Sequence, residues 1–173
     1  MKMKGLSATV IGLLLGFTAL SSQAATYSNG TATATFLVSL TITASCTVSA
    51  NALAFGSTGL LTSNVTASST LSVTCSNSTP YNIGLNAGDV AGSTTTTRLM
   101  AGTSTGNTSS TVSYQLMQDA ALSTNWGDTQ GTDTVAGTGT GSAQNLTIYG
   151  HVPTQTTPTP DTYNSTVTAT VYF

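Results

Sequence analysis

The sequence predicts an all-β protein folded as one sandwich domain, and three observations lead to this class. Thr, Ser, Gly, Ala and Val dominate a chain in which only 5% of residues are charged and Glu is absent. Apolar and polar residues alternate with a period of two, which is typical of strands. Helical periodicity does not extend beyond a turn or two. Because Thr and Val favour strands and the usual charged helix formers are scarce, short strands joined by Gly- and Pro-rich turns indicate a β-sandwich.

The first 24 residues have the three parts of a secretory signal peptide. Lys2 and Lys4 form a positive region, an apolar run follows over residues 6–20, and small residues precede Ala24 and Ala25. The apolar run is too short for a transmembrane span, which needs about 20 such residues. We therefore expect cleavage after Ala24 or Ala25 and export of the remaining chain, with no membrane anchor in the mature protein.

Charge excludes several classes of function for the exported chain. Arg98 is its only basic residue besides the weakly basic His151. Nucleic-acid binding requires several cations to neutralise phosphates, so it is excluded as a function. Binding to an anionic membrane through a basic patch is excluded for the same reason.

The chain has two cysteines, Cys46 and Cys75. After export they would meet an oxidising compartment, which favours a disulfide. A metal site would need further ligands, and His151 is the only histidine. We therefore predict one disulfide, no metal and no cofactor.

A long alternating segment opens the mature chain. From Ala32 to Val48 the even positions are apolar or Cys and the odd positions are Thr or Ser, except at Leu37. As one strand this segment would exceed the usual 3–10 residues, so a small domain could not pair all of it. We expect two functional pieces, of which the first finds its partner elsewhere.

Further strands follow, each with inward-facing residues of one parity. We expect a short strand over residues 53–56, another beginning at Arg98, and loops over residues 87–97, 101–110, 119–143 and 153–160. The inward sets of the other strands are Leu71, Val73 and Cys75; Tyr81, Ile83 and Leu85; Val112, Tyr114 and Leu116; Leu146, Ile148, Gly150 and Val152; and Val167, Ala169, Val171 and Phe173.

Few side chains suggest catalysis. His151 shares parity with Thr147 and Tyr149 and should face solvent. The five Asp residues are scattered over loops without the spacing of an acid/base pair. We therefore expect no catalytic residue and no enzyme, although loops that converge in space leave a paired-carboxylate glycosidase formally open.

Trp126 and Arg98 each have two interpretations. Trp126, the only tryptophan, is either a sugar-stacking platform in a loop or a core side chain, and the sequence favours the core. Arg98 is expected to be structural, paired with an Asp. The sequence leaves both roles open.

The order of these features resembles the spore coat protein U domain family. The resemblance covers the mature chain and is closest to the major pilin of archaic, Csu-type chaperone–usher pili, because of the long N-terminal alternation. The segments that carry it are the two-Cys N-terminal half, Leu53-Ala54-Phe55-Gly56, Leu71 to Cys75 followed by Tyr81, Arg98-Leu99-Met100, Val112-Ser113-Tyr114, Trp126-Gly127-Asp128, Leu146 to Pro153, and Tyr163 to Phe173.

This resemblance implies an incomplete immunoglobulin-like β-sandwich that is completed by donor-strand exchange. A periplasmic chaperone would lend a strand first, and the N-terminal extension of the next subunit would replace it at the outer-membrane usher. The implied segments are a signal peptide (1–24), a donor extension (25–41) and a pilin domain (42–173). The implied donor residues are Ala32, Ala34, Phe36, Val38 and Leu40, and the implied chaperone-binding strand contains Val167, Ala169, Val171 and Phe173.

The resulting expectation is a structural subunit of an adhesive surface pilus used in attachment and biofilm formation. Its partners would be identical or related pilins, the chaperone and the usher. A surface- or carbohydrate-binding adhesin remains an alternative, as does a spore-coat structural protein of the same family.

Overall fold

The computed structural model describes residues 30–173 and shows only β-strands as regular secondary structure in that range. The expected signal peptide and the first residues of the expected donor extension lie outside the described residues. Contacts divide the chain into two units between Leu40 and Thr41, and the sandwich belongs to the second unit. Within residues 30–173, no helix is long and apolar enough to cross a membrane.

Within the described residues, nine strands form two antiparallel sheets. The six-stranded sheet has the order β1-β2-β7-β5-β4-β8, and the three-stranded sheet has the order β6-β3-β9. The strands are β1 (Cys46–Ala50), β2 (Val65–Cys75), β3 (Pro80–Leu85), β4 (Arg98–Gly102), β5 (Thr111–Met117), β6 (Val135–Thr138), β7 (Ala143–Val152), β8 (Tyr163–Asn164) and β9 (Ala169–Tyr172).

The period-two alternation produces the core. In β2, Leu71, Val73 and Cys75 are buried, and the intervening Ser and Thr residues are more exposed. The inward sets predicted for β3 and β5 are buried as well. The prediction of an all-β sandwich is therefore confirmed.

The expected disulfide joins Cys46 of β1 to Cys75 of β2 and is confirmed. These residues are directly opposite each other in the β1–β2 ladder. The bond closes a loop with a sequence separation of 29 residues. It therefore fixes the edge strand β1 onto the long central strand β2.

Three expected strands differ from the structure. Residues 53–56 form no strand, because Leu53 and Phe55 instead pack across Gly150, where a β-carbon would lie 2.7 Å and 2.9 Å from their side chains. The regular first strand begins only at Cys46, since residues 30–45 enter no ladder. The expected last strand, over residues 166–173, is shorter in the structure, where β9 covers only Ala169–Tyr172.

The region expected to be a loop over residues 119–143 contains the strand β6. It pairs with β3 from Pro80↔Thr138 to Ile83↔Val135. Its sequence, Val-Ala-Gly-Thr, is too short and too poor in apolar residues to give a clear alternation. Tertiary pairing therefore determines this strand.

Candidate functional site

The edge of β1 that faces away from β2 carries free backbone groups. The amide of Ser76 donates to the carbonyl of Ser45, and the amide of Asn51 donates to the carbonyl of Thr70. In an antiparallel ladder the direction of these groups alternates, so the amides and carbonyls of Cys46, Val48 and Ala50 point away from β2. Within the described residues, β1 pairs with β2 alone.

The strand β9 has a matching free edge. It pairs only with β3 among the described strands, and the ladder continues as the amide of Asn86 donates to the carbonyl of Thr168. By the same alternation, Thr168 and Thr170 direct their backbone groups toward β3, whereas Ala169 and Val171 direct theirs away from it. Ala169 and Val171 are also the β9 residues that pack against the core.

Polar side chains hold the segment between β8 and β9. The Asn86 side-chain oxygen accepts hydrogen bonds from the amides of Thr168 (2.9 Å) and Gly88 (3.0 Å). The Asp89 carboxylate accepts from the amide of Thr166 at 2.7 Å. The hydrogen bonds from Thr166, together with one from Ser165, lower the pKa of the Asp89 carboxyl. Asn86 and Asp89 therefore accept hydrogen bonds from backbone amides where the chain passes from one sheet to the other. The sequence analysis missed this role.

The free edges of β1 and β9 run in opposite directions. Cys46 pairs with Cys75, and β3 begins at Pro80, shortly after a turn. Tyr172 pairs with Asn82 near the start of β3. The start of β1 and the end of β9 thus lie at the same end of the sandwich, and β1 runs away from that end while β9 runs toward it.

An incompletely covered apolar surface lies along these edges. Some Cα atoms of β1 and β9 are within 8 Å of each other, yet the two strands share no ladder. Several residues of both walls contact the buried core while remaining only partly buried. They are Cys46, Val48, Leu53, Phe55, Tyr163, Val167, Ala169 and Val171. We call the surface between these walls the edge groove.

A cavity of about 830 Å³ lies between residues 52–59 and 157–164. Met100, Val112 and Val152 contribute apolar atoms to it. Phe55 contacts the ring of Tyr114 edge-on, with 6.3 Å between the ring centroids. Phe55 and Tyr163 therefore belong both to the partly buried apolar set and to the lining of this cavity.

The predicted donor residues lie in a segment without regular secondary structure. Phe36, Val38 and Leu40 expose 80–87% of their surface, and Leu37 exposes 89%. Ala32 and Ala34 are also exposed. Exposed apolar patches of this kind are unusual on monomeric soluble proteins and are common at interaction sites.

The predicted C-terminal set lies on one wall of the edge groove, except for its last member. Val167, Ala169 and Val171 pack against the core, whereas Phe173 is 60% exposed. On the opposite face of β9, the Tyr172 hydroxyl donates to the Asp128 carboxylate at 2.9 Å. This bond raises the pKa of Tyr172. This hydrogen bond therefore anchors β9 through the face that points away from the edge groove.

Trp126 is a core residue, as the sequence favoured. It is 1% exposed, and its indole nitrogen donates to the carbonyl of Ile83 at 2.8 Å. A buried indole has no free face for stacking on a sugar. The sugar-platform interpretation of Trp126 is therefore wrong.

Arg98 is structural, but it is not paired with an Asp as expected. Its guanidinium is completely buried. It donates to the carbonyls of Asn86, Thr95, Leu85 and Trp126 over 2.7–2.8 Å. Burial lowers the pKa of Arg98, partly offset by Tyr114 and nearby carboxylates. Planar multidentate donation to carbonyls replaces the expected ion pair.

The remaining polar residues form no recognisable catalytic arrangement in the part of the chain that the structure describes. His151 is half-buried and not open to solvent as expected, because Gln115 of β5 approaches its Nδ1 atom at 3.1 Å. Residues 30–173 contain no group of three or more metal-ligating side chains. The site therefore offers backbone hydrogen-bonding groups on free strand edges and an apolar surface.

Comparisons with known proteins agree with this architecture. A chain in the crystal structure of the CsuC–CsuE chaperone–tip adhesion subunit pre-assembly complex, from archaic chaperone–usher Csu pili of Acinetobacter baumannii, is similar at 24% identity and a TM-score of 0.54. The alignment covers 77% of the present chain and 40% of that chain, so the present chain spans less than half of its length. No curated protein sequence matches significantly.

The family model for the Spore Coat Protein U domain matches residues 32–170. This match includes the exposed apolar segment, the disulfide and the wall residues of the edge groove other than Val171. The resemblance found in the sequence is therefore confirmed, and the chain belongs to the Spore Coat Protein U domain family.

Proposed function

We propose that the mature chain is a structural, non-enzymatic pilus subunit that polymerises by donor-strand complementation. The observation that carries this proposal is the edge groove, whose two walls both present free backbone groups and partly buried apolar side chains. An added strand could pair with the free edge of β9 and cover the core beside it. Pairing with β1 as well would require β1 and β9 to move apart, because a strand between them needs two ladder spacings, about 9.6 Å. The family and the fold support this function.

The occupant that we propose is the N-terminal segment of a second copy, with Ala32, Ala34, Phe36, Val38 and Leu40 facing the core. These residues have the required alternation and are exposed in the single chain. The proposed domain boundaries follow: an extension over residues 25–41 and a pilin domain over residues 42–173.

The energetics of the joint are finely balanced. Burying each of the three larger donor side chains contributes about 1.5–3 kcal/mol. Ordering the backbone of a donor of this length costs about 1–2 kcal/mol for each residue. Ladder hydrogen bonds along the free edge of β9 and the covering of the exposed apolar groove must therefore supply the net stabilisation.

Before polymerisation, the groove would need a temporary partner. We propose that a periplasmic chaperone pairs with the free edge at Val167, Ala169, Val171 and Phe173, and that an outer-membrane usher then exchanges it for the next subunit. The product would be a surface pilus serving attachment and biofilm formation. The similarity of the fold to a chain of a chaperone–subunit complex supports this pathway.

Charge substitutions on opposite faces of the donor segment test the proposal. Phe36→Asp would bury a carboxylate that has no available cation, because Arg98 is already fully engaged with carbonyls. We expect this variant to fold and remain monomeric, whereas the wild type forms a ladder of oligomers that dissociate on heating. Thr35→Asp, on the outward face, is the matched control and should polymerise.

Size exclusion and gel mobility of the exported protein without heating give the readout. Normal fibres from Phe36→Asp would refute the donor assignment. Loss of assembly in both variants would show that charge alone, and not the inward face, prevents polymerisation.

A further inference from the structure

A polar cavity lies on the outer face of the six-stranded sheet, the face opposite the core. Its volume is about 540 Å³, and strands β5, β4 and β8 contribute its floor. Its lining residues are different from those that form the walls of the edge groove. Cavities of roughly 300–1,000 Å³ are typical of small-molecule sites, so this one is large enough to hold a ligand.

The floor of the cavity is a row of three residues on adjacent strands. Ala101 of β4 pairs with Thr111 of β5 on one side and with Asn164 of β8 on the other. Paired residues point to the same face of a sheet, and the neighbouring Met100 and Val112 pack against the core. Two ladder spacings place the backbones of Thr111 and Asn164 about 9.6 Å apart. The floor is therefore a methyl group with a polar side chain on either side.

One wall of the cavity carries the Asp89 carboxylate, the only charged side chain among its lining residues. The Oδ1 atom of Asp89 accepts hydrogen bonds from the amide of Thr166 at 2.7 Å and from the hydroxyl of Ser165 at 3.3 Å. These bonds fix the carboxylate, and its Oδ2 atom keeps lone pairs that further donors could use. Because hydrogen bonds from Thr166 lower the pKa of Asp89, this group is a charged acceptor at neutral pH.

The loop between β4 and β5 forms a second wall, which carries unengaged hydroxyl groups. In this loop, Ser104 and Asn107 donate to the Asp161 carboxylate at 2.8 Å. Thr108 and Ser109 instead line the cavity, and their side chains form no hydrogen bond within residues 30–173. The same is true, within that range, of the two polar side chains of the floor. A ligand could therefore bind these groups without breaking a hydrogen bond of the fold.

The chemistry of the lining discriminates between classes of ligand. An anion would meet Asp89 and find no compensating cation, because Arg98 is buried and donates to carbonyls. A metal ion would lack ligands, since residues 30–173 contain no group of three or more metal-ligating side chains. A wholly apolar molecule would desolvate the hydroxyl groups without replacing their hydrogen bonds. A neutral polyol fits, because its hydroxyls both donate and accept while its C–H groups contact a methyl group.

We propose that this cavity binds a neutral saccharide. The C–H face of one sugar ring lies on Ala101, and adjacent hydroxyls of the ring donate to the Asp89 carboxylate. Thr111 and Asn164 form hydrogen bonds with the ring from its two sides. The lining contains no aromatic ring that could stack on the sugar, so we expect a dissociation constant of about 1 mM. This binding function is additional to polymerisation and does not depend on donor-strand exchange.

Saturation-transfer NMR on the exported wild-type protein tests the proposal with three neutral disaccharides, which are lactose, maltose and cellobiose. We expect at least one of them to give signals that saturate near the expected dissociation constant. Glucuronate is the charged probe and should bind more weakly, because its carboxylate is repelled by that of Asp89. No signal from all three disaccharides at ten times the expected dissociation constant would overturn the proposal, and so would tighter binding of glucuronate.

Filling the floor of the cavity tests where the disaccharide binds. Ala101→Leu places a larger side chain between the two polar residues of the floor, and we expect the affinity to fall about tenfold or more. Ala143→Leu is the matched control, because Ala143 is exposed on the same face of the same sheet and outside the lining. This control should bind as the wild type does. Wild-type affinity in Ala101→Leu, or an equal loss in both variants, would refute the site.

A shape-conserving variant keeps the proposal testable even if Ala101→Leu fails to fold. Thr111→Val removes one hydroxyl of the floor and keeps the branched side chain, so we expect the disaccharide to bind about threefold to tenfold more weakly. Thr147→Val removes an exposed hydroxyl from β7 on the same face and should leave binding unchanged. Wild-type affinity in Thr111→Val, or the same loss in Thr147→Val, would contradict the proposed contacts.

Discussion

The guanidinium of Arg98 donates a 2.8 Å hydrogen bond to the carbonyl of Trp126, and the indole of Trp126 donates in turn to the carbonyl of Ile83. The same Arg98 nitrogen also reaches the carbonyl of Leu85. These bonds join β4, β3 and the loop that contains Trp126. Two side chains that a sequence reader would consider for binding therefore fix the interior of the sandwich.

Replacing Arg98 should destabilise the domain strongly. Arg98→Met would leave four carbonyls without their buried donor, and we expect a loss of about 3–5 kcal/mol in the free energy of unfolding. Arg98→Lys should recover part of the loss, because an ammonium cannot reproduce the planar fork. Urea unfolding of both variants, each carrying Phe36→Asp so that it stays monomeric, measures the two losses. A change below about 1 kcal/mol for Arg98→Met would contradict this role.

Removing the disulfide should loosen β1. The double variant Cys46→Ala, Cys75→Ala avoids a leftover thiol, and the chain-entropy model gives a loss of about 3–4 kcal/mol for a loop of this length. Wild-type protein unfolded with and without reductant is the control and should show a similar difference. Equal stability of the oxidised wild type and the double variant would show that pairing with β2 alone holds the edge strand.

Stability should depend on pH through Asp161. Hydrogen bonds from the side chain of Asn107 and from Ser104 lower its pKa below the ordinary value of 3.8. Because the folded pKa is the lower one, the stabilisation is present above the unfolded pKa and is lost as pH falls through the folded pKa.

We therefore expect Asp161→Asn to lower the melting temperature at pH 7 and to have progressively less effect as the pH falls below about 4. Thermal unfolding of the wild type and of Asp161→Asn between pH 2 and 7 checks this, because the Asp161 carboxylate begins to lose its stabilising charge at the acid end of that range. A constant difference across that range would mean that charge at Asp161 contributes nothing.

The free edge of β9 can be tested with proline. The amide of Ala169 points away from β3, so Ala169→Pro removes a donor from the edge groove without breaking the β3–β9 ladder. We expect the subunit to fold but its oligomer fraction to fall at least tenfold. Thr170→Pro is the matched control: its amide faces β3, so this variant loses a ladder hydrogen bond and should lose about 1–3 kcal/mol of stability. Normal assembly of Ala169→Pro would exclude this edge from strand addition.

The expectations that the structure confirmed share a physical basis. Alternation at β2, β3 and β5 could be read from the sequence because a residue on a half-buried strand is forced to one face or the other. The Cys46–Cys75 pair followed from having two cysteines in an oxidising compartment. Both are local or compositional facts that need no knowledge of neighbouring strands.

Where the predictions differed from the structure, pairing between distant segments decided the outcome. Residues 53–56 alternate like a strand, but the close approach to Gly150 draws their side chains over β7 and leaves their backbone unpaired. β6 has little alternation of its own, and its ladder with β3 makes it a strand. A pattern cannot show which edges find partners.

By itself, the sequence determined the β class, the disulfide and an alternating segment longer than one small sandwich can pair, because side-chain period and composition are properties of the chain alone. Only the tertiary structure decided that Arg98 binds carbonyls, that Trp126 is buried, and that β1 and β9 bound the edge groove. Those features depend on how residues far apart in the chain are brought together. The width of a groove and the direction of a free edge exist only after both sheets have formed.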